Sequence, residues 1–239
     1  MPRLITEADL APGTRIDLDR AQANYLRSVM RVPDGGEALA FNGRDGEWLV
    51  RLHHDGRKGG TLEAVRRTRE QTAPGDLDYL FAPLKQGRLD YMVQKAVEMG
   101  VSRLRPVVTE HTQVRKVNTQ RLRANVVEAA EQCGVLALPE LDEPVALEAA
   151  LDRWDASRRL VFCDEGETTQ NPLATLADVP RGPLALLVGP EGGFSEPERE
   201  RLRDLPFVTA IPLGPRVLRA DTAAVAALAV VQATLGDWR

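Results

Sequence analysis

Apolar strand-like runs alternate with amphipathic helical segments from Leu77 onward, and this pattern constrains the fold more than any other feature. Residues Leu89, Met92, Val93 and Ala96 recur at helical spacing before Gly100, which suits a glycine just past a helix end. Strands separated by helices predict an α/β fold with a parallel sheet covered on both faces. The predicted strands span 77–82, 103–109, 159–164, 184–188 and 207–212, and the main predicted helices span 89–99, 118–133 and 222–235.

The first seventy residues show a different pattern of short strands and tight turns. Segments 38–41 and 47–52 flank an Asn-Gly-Arg-Asp-Gly turn at 42–46, which predicts a hairpin, and one short helix is expected over 21–30. Small barrels of such strands commonly present loops to oligonucleotides. The polar segment 69–75 then marks a boundary, so we expect a small N-terminal β-barrel domain over 1–70 and an α/β domain over 71–239.

The composition excludes several classes of protein. With 239 residues, 43% of them hydrophobic, the chain is long enough for two globular domains. Two cysteines, Cys133 and Cys163, are too few for a disulfide framework, and no Cys/His cluster has metal-site spacing, so we expect no metal. The N-terminus lacks a signal-peptide pattern, and the apolar stretch 222–235 is shorter than the roughly 20 residues of a membrane helix. We therefore expect a cytoplasmic protein without a membrane partner. The net charge of −4 neither supports nor excludes RNA.

Two glycine- and proline-bearing loops follow predicted strand ends, at 189–195 and 213–222. Ligands of open parallel sheets bind beyond the carboxyl ends of strands. The first loop matches neither the dinucleotide fingerprint nor the phosphate loop, and its three glycines leave bare backbone that a flat heterocycle can approach. Taken alone, it is more typical of an ordinary strand-to-helix turn than of a ligand site. In the second loop, Arg216 and Arg219 precede a helix; the alternative there is that both are solvated charges and Thr222 is an N-cap.

These segments resemble the ribosomal RNA small-subunit methyltransferase E family of the SPOUT superfamily. The resemblance rests on 187–198 (LVGPEGGFSEPE), 213–223 (LGPRVLRADTA), 85–101 (KQGRLDYMVQKAVEMGV), 128–133 (EAAEQC) and 25–32 (YLRSVMRV). It implies a knotted SPOUT methyltransferase domain with a PUA-like N-terminal barrel. It also implies a homodimer that uses S-adenosylmethionine to methylate N3 of one uridine (position 1498 in the usual numbering) in 16S rRNA, free or within the 30S subunit.

The same resemblance implies a set of site residues. Methylation at N3 requires the nitrogen to lose a proton, and charge then spreads onto the uracil oxygens, where a guanidinium is stabilising. Arg219 is the expected guanidinium, and Asp221 or Glu191 the expected proton acceptor; alternatively, either acid is only a helix N-terminal charge. The residues expected to bind the cofactor are Leu187, Val188, Gly189, Pro190, Glu191, Gly192, Gly193, Ile211, Leu213, Gly214, Val217, Leu218, Arg219 and Thr222.

A set of basic residues is expected to hold the RNA, although each one taken singly is typical of a solvated surface charge. Arg27 and Arg31 are predicted to share one helix face, as are Arg88 and Lys95. The target uridine is expected to be extruded into the cofactor cleft. Trp48 and the three histidines are expected to be structural or surface residues. The full set expected to bind RNA is Arg3, Arg27, Arg31, Lys85, Arg88, Lys95 and Arg115.

Two other functions remain open at this point. One is a non-catalytic RNA-binding assembly factor with the same fold, against which Gly192, Gly193 and Arg219 argue because such a chain has little use for them. The other, a ribose 2′-O-methyltransferase of the same superfamily, is disfavoured because its motifs differ from those quoted.

Overall fold

A computed structural model describes residues 1–56, 59–166 and 171–238 of the chain. The chain divides into two compact units. The first comprises Met1–Ala73 together with Val127–Leu138, and the second comprises Pro74–Val126 together with Pro139–Arg239. The first unit therefore includes a segment from the middle of the sequence as well as the N-terminus.

The first unit is built on a five-stranded sheet in the order β1-β3-β4-β5-β2. Its elements are β1 (Arg3–Ile5), β2 (Arg15–Asp17), α1 (Arg20–Asn24), a π-helical segment (Tyr25–Val29), β3 (Glu37–Phe41), β4 (Glu47–Asp55) and β5 (Gly59–Arg69). The predicted hairpin is confirmed as the antiparallel pair β3 and β4. Gly43 and Gly46 of its turn have φ of +77° and +81°, the conformation for which glycine was expected there.

Alternating residues of β3, β4 and β5 form the core of this unit. Trp48 is 7% exposed and packs in this core, as predicted, and its Nε1–H donates to the Asp45 carbonyl at 3.0 Å. A buried indole that keeps its hydrogen bond is stable in a core and unavailable for stacking on a base.

The predicted single helix over 21–30 is wrong in detail. Helix α1 ends at Asn24, and the chain continues as the π-helical segment, which ends at Val29. Arg31 lies beyond it with φ of +54°, a left-handed conformation that is uncommon outside glycine. Arg27 and Arg31 therefore do not share a helix face, since the helical geometry stops before Arg31.

The segment 127–138 is joined to the N-terminal strands by hydrogen bonds. The Glu131 carboxylate accepts from the Ile5 N–H at 2.9 Å, and Arg3 donates to the Glu131 carbonyl at 3.0 Å and to the Glu47 carboxylate at 2.8 Å. Burial raises the pKa of Glu131. The EAAEQC stretch thus serves the packing of the first unit.

The second unit is built on a parallel sheet in the order β12-β10-β11-β6-β7-β8, with β9 also paired in parallel to β7. Its elements are β6 (Leu77–Phe81), α2 (Gln86–Glu98), β7 (Arg103–Val108), α3 (Thr119–Cys133, whose C-terminal part belongs to the first unit), β8 (Glu140–Leu141), β9 (Val145–Ala146), α4 (Leu147–Asp152), β10 (Arg159–Cys163), α5 (Pro172–Ala177), β11 (Leu184–Val188), α6 (Glu196–Asp204), β12 (Val208–Ile211) and α7 (Ala220–Thr234).

Helices cover both faces of this sheet, which confirms the predicted α/β class. Leu187 of β11 packs in one cluster with Leu147 of α4 and Leu202 of α6. On the opposite face, the buried Tyr79 hydroxyl of β6 donates to Met92 Sδ of α2 at 3.2 Å. Every residue of β11 is buried, as expected for a central parallel strand.

Helix boundaries follow local chemistry closely. Gly100 has φ of +80° directly after α2, which confirms it as the terminating glycine. The last helix begins at Ala220, two residues earlier than predicted, with Arg219 at its N-cap position. Within the described residues, no helix combines the length and hydropathy needed to cross a bilayer.

Candidate cofactor site

The sheet order brings three loops to one edge of the second unit. Strands β12 and β11 both pair in parallel with β10, which lies between them, so the carboxyl ends of all three strands point the same way. The loop 189–195 follows β11, the loop 212–219 follows β12, and residues 164–166 follow β10. Such an edge is where open α/β sheets bind ligands.

One cavity of about 490 Å³ lies among these loops. This volume falls within the usual range for small-molecule and cofactor sites. Nine of the fourteen residues predicted to bind a cofactor line it: Val188, Gly189, Pro190, Glu191, Gly193, Leu213, Gly214, Val217 and Leu218. The two predicted loops therefore share a cavity beyond the carboxyl ends of their strands, where a parallel sheet is expected to bind its ligand.

The other five predicted residues are not among those that line the cavity. Leu187 and Ile211 are fully buried at the ends of their strands and contribute to the core instead. Gly192 lies between two lining residues. Arg219 and Thr222 are exposed at the start of α7, whereas Arg216 of the same loop does line the cavity.

Two glycines of the first loop are required by close approach. A Cβ on Gly189 would lie 2.5 Å from Cε2 of the Phe194 ring, which itself lines the cavity. Gly193 has φ of +69°, its N–H donates to the Pro190 carbonyl at 3.0 Å, and a Cβ there would collide with the Glu165 carboxylate. Both positions therefore exclude a side chain, because Phe194 and Glu165 occupy the space that it would need.

The loop after β10 is the part of the site that sequence reasoning missed. Cys163, Asp164 and Glu165 all line the cavity. The only sequence signal was a pair of acids at the carboxyl end of a predicted strand, at the sheet edge where ligands bind. Burial raises the pKa of Cys163 to about 12, so its thiol is not a nucleophile at neutral pH.

Helix α6 holds this third loop. The Asp164 carboxylate, with only 1% of its side chain exposed, accepts from Arg199 at 3.1 Å and also pairs with Arg203. Asp164 also accepts from the Gly166 N–H at 3.0 Å. A buried carboxylate is tolerated when its charge is paired and its lone pairs are used.

A family model for an RNA methyltransferase domain matches residues 71–232, and one for an RNA methyltransferase PUA domain matches residues 18–65. Ribosomal RNA small subunit methyltransferase E of Rickettsia conorii is 28% identical over 232 residues, covering 96% of this chain and 94% of the relative. The chain belongs to the ribosomal RNA small subunit methyltransferase E family.

Two solved structures extend the similarity of this methyltransferase over its whole length. Ribosomal RNA small subunit methyltransferase E from Neisseria gonorrhoeae, bound to S-adenosylmethionine, is 28% identical, covers 100% of both chains and has a TM-score of 0.88. A Legionella pneumophila protein described as a methyltransferase in complex with the same cofactor is 29% identical over 98% of both chains, with a TM-score of 0.84. The SPOUT fold class and the PUA-type N-terminal domain are confirmed.

The three predicted catalytic residues of the methyltransferase occupy different environments. Glu191 lines the cavity, and its carboxylate pairs with Arg88 at 3.1 Å. Asp221 lies in the first turn of α7, where its carboxylate accepts from the Thr222 N–H at 2.9 Å. Arg219 occupies the N-cap position of the same helix.

His111 contacts the glycine loop, a role that the sequence did not indicate. Its Nδ1 lies 3.0 Å from the Gly192 carbonyl oxygen, and its Cβ lies 3.2 Å from where a Cβ on Gly192 would be. The turn that carries His111 is closed by the buried hydroxyls of Thr109 and Thr112, 2.8 Å apart. His111 therefore holds the first loop to the loop after β7.

The residues predicted to bind RNA differ in whether their side chains are exposed and whether they are paired within the protein. Arg3 is turned into the first unit by Glu47, with 20% of its side chain exposed. Arg27 donates to Nδ1 of His54 and to the Gly59 carbonyl. In the second unit, Lys85, Arg88, Lys95 and Arg115 are exposed or half-buried, with Arg88 paired to Glu191 and Lys95 to Glu98 at 2.6 Å.

Proposed function

We propose that this methyltransferase uses S-adenosylmethionine to methylate N3 of one uridine in the 16S rRNA of the small ribosomal subunit. The observation that carries the proposal is the single cavity shared by the loops 189–195 and 212–219. Family membership supports the rRNA substrate and the cofactor, and the resemblance quoted above supports the choice of uridine N3.

The cavity fits the cofactor in size and in chemistry. Its wall includes the apolar side chains of Val188, Leu218 and Ala223, and bare backbone at Gly189 and Gly193. Apolar walls with exposed peptide groups suit a planar adenine, which offers both flat faces and hydrogen-bonding edges. When bound, S-adenosylmethionine supplies an electrophilic methyl group on a cationic sulfur.

The chain's own residues then position the uracil and remove its proton. Orientation of the reacting groups contributes roughly 7–11 kcal/mol in well-aligned systems. We assign the guanidinium of Arg219 to the negative charge that develops on the uracil oxygens. We assign proton removal to Asp221 or Glu191, which requires Glu191 to leave its exposed pair with Arg88.

The two family matches support a division of roles between the domains. We propose that residues 1–70 form an RNA-binding PUA-like domain, that residues 71–239 form the methyltransferase domain, and that the predicted basic residues contact the RNA. An enzyme acting on ribosomal subunits works in the cytoplasm. The target is 16S rRNA, either free or assembled into the 30S particle.

We also propose a homodimer and a knotted C-terminal chain, both implied by the SPOUT family. The face of α7 formed by Val225, Ala226, Ala229 and Val230 is apolar and only half-buried in one chain. Burial of such a strip against a second copy is favourable by about 25 cal/mol per Å².

Complementation tests the reaction. A strain that lacks its own 16S rRNA uridine-N3 methyltransferase is given this chain, and its 16S rRNA is digested and examined by mass spectrometry for 3-methyluridine. We expect the modification to return. If the expressed protein binds S-adenosylmethionine but leaves the uridine unmodified, the N3 assignment is wrong; if it binds none, the non-catalytic assembly factor becomes the better description.

A further inference from the structure

A carboxylate that the family signatures do not include lies in the cavity wall. Glu165 follows β10 and lines the same cavity as the two glycine loops. Its carboxylate oxygen occupies the space that a Cβ on Gly193 would need. The side chain of one loop therefore rests directly on the bare backbone of another.

The backbone of Glu165 is fixed on both sides. The preceding residue, Asp164, is buried and bound by Arg199 and Arg203 of α6. The Arg199 guanidinium also covers the following residue, Gly166, where it fills the position of a Cβ. A carboxylate on such a backbone loses little conformational entropy when it binds a ligand, because the residues on either side of it are already ordered.

Glu165 differs from the other acids of the cavity in its charge balance. Asp164 is neutralised by two arginines, and Glu191 is paired with Arg88 at 3.1 Å. Among the residues that the structure describes, none forms a hydrogen bond or an ion pair with the Glu165 carboxylate. Its lone pairs are therefore available to a ligand in the cavity.

We propose that Glu165 is a cofactor-binding residue, whose carboxylate accepts hydrogen bonds from donor groups of S-adenosylmethionine. This inference rests on the proposed function. The available donors are the ribose hydroxyls, the adenine amino group and the α-ammonium, and all share the chemistry of an N–H or O–H aimed at an anion. Hydrogen bonds to an ionised acceptor are about twice as strong as neutral ones.

Calorimetric titration of the full chain tests this role. Glu165→Gln keeps the size of the side chain and removes its charge, and we expect the Kd for S-adenosylmethionine to rise roughly tenfold or more. The matched control is Glu200→Gln on the exposed surface of α6, which we expect to bind like wild type. Thermal unfolding without ligand should be unchanged for both variants, since Glu165 is exposed and its carboxylate forms no bond with any residue that the structure describes.

Further ligands identify the donor. S-adenosylhomocysteine keeps the amino acid and the nucleoside, whereas 5′-methylthioadenosine lacks the α-ammonium. An equal weakening of all three ligands by Glu165→Gln assigns the carboxylate to the nucleoside, and a weakening confined to the two amino-acid-bearing ligands assigns it to the ammonium.

The outcomes against the two proposals are separate. If wild type binds S-adenosylmethionine and Glu165→Gln binds all three ligands equally well, the role of Glu165 is overturned while the proposed function stands. If wild type itself binds no S-adenosylmethionine, the proposed function fails.

Discussion

Replacement of Gly189 by alanine isolates the steric requirement of the cofactor loop. Gly189 does not have a positive φ, so the substitution adds volume without forcing a left-handed backbone. The new methyl group would lie 2.5 Å from Cε2 of Phe194 and 3.0 Å from two further ring atoms. Since carbon atoms pack at about 3.5 Å or more, the ring must move by about 1 Å.

The Phe194 ring cannot move freely. It meets the fully buried ring of Phe162 edge-on, with centroids 5.0 Å apart and planes at 84°. Overpacking of this kind costs about 1–3 kcal/mol. Phe194 also lines the cavity, so the ring can relieve this strain by moving into the cavity. S-adenosylmethionine must then push the ring back. If that costs about 1.4 kcal/mol, the Kd for S-adenosylmethionine rises roughly tenfold.

Urea unfolding of a double-mutant cycle tests the origin of this cost. We expect Gly189→Ala to lower the urea midpoint at unchanged slope, and to cost close to nothing in a Phe194→Ala background, where the colliding atoms are gone. Gly87→Ala is the matched control, since a Cβ there meets no atom within 4 Å and alanine favours the start of α2. An equal cost of Gly189→Ala in both backgrounds would refute the steric explanation.

The remaining predictions concern titration. Burial raises the pKa of Asp78 despite its pairing with Arg105 and Arg158, so the native state binds more protons just above pH 3.8 than the unfolded state does. The free energy of unfolding of wild type minus that of Asp78→Asn should therefore fall as pH rises through the pKa of Asp78 in the folded state, and then level off. Urea unfolding over this pH range measures both free energies, and a difference that rises with pH would contradict the prediction. Iodoacetamide at pH 8 should label the exposed Cys133 well before Cys163, whose thiol has a pKa of about 12; peptide mass spectrometry showing equal labelling would overturn that assignment.

The parts of the fold that the sequence predicts well are those governed by local periodicity. The bounds of β11 agree with the prediction residue for residue, because a continuous apolar run between Pro183 and Gly189 leaves little choice. Gly100 was predictable because a helix end that requires positive φ selects glycine. The π-helical segment was not, since its residues have ordinary helical spacing and no residue type marks the change at Tyr25.

The composition of the site was only partly predictable, because strand order is not sequence order. The two glycine loops could be recognised from their residues, but β10 lies between β11 and β12 only in the folded sheet. Glu165 therefore lines the cavity although no local sequence motif predicts that position. Arg3 shows the same limit: its charge predicted an RNA contact, and its pairing with Glu47 could not be recognised from the sequence.

Helix α6 looks in sequence like a solvated surface helix, yet its charged residues organise the cofactor site. Its N-terminus directly follows the glycine loop, and Glu198 accepts from the Ser195 N–H at 3.0 Å and from the Glu110 N–H of the loop after β7 at 2.9 Å. Arg199, the next residue, and Arg203, one turn beyond it, hold the loop after β10 through Asp164. Three loops from distant parts of the chain are thus fixed to one helix by charge-assisted hydrogen bonds. Half-buried pairs of this kind are stronger than exposed ones. The charged side chains of α6, which the sequence pattern alone would assign to solvent, therefore determine the shape of the cavity.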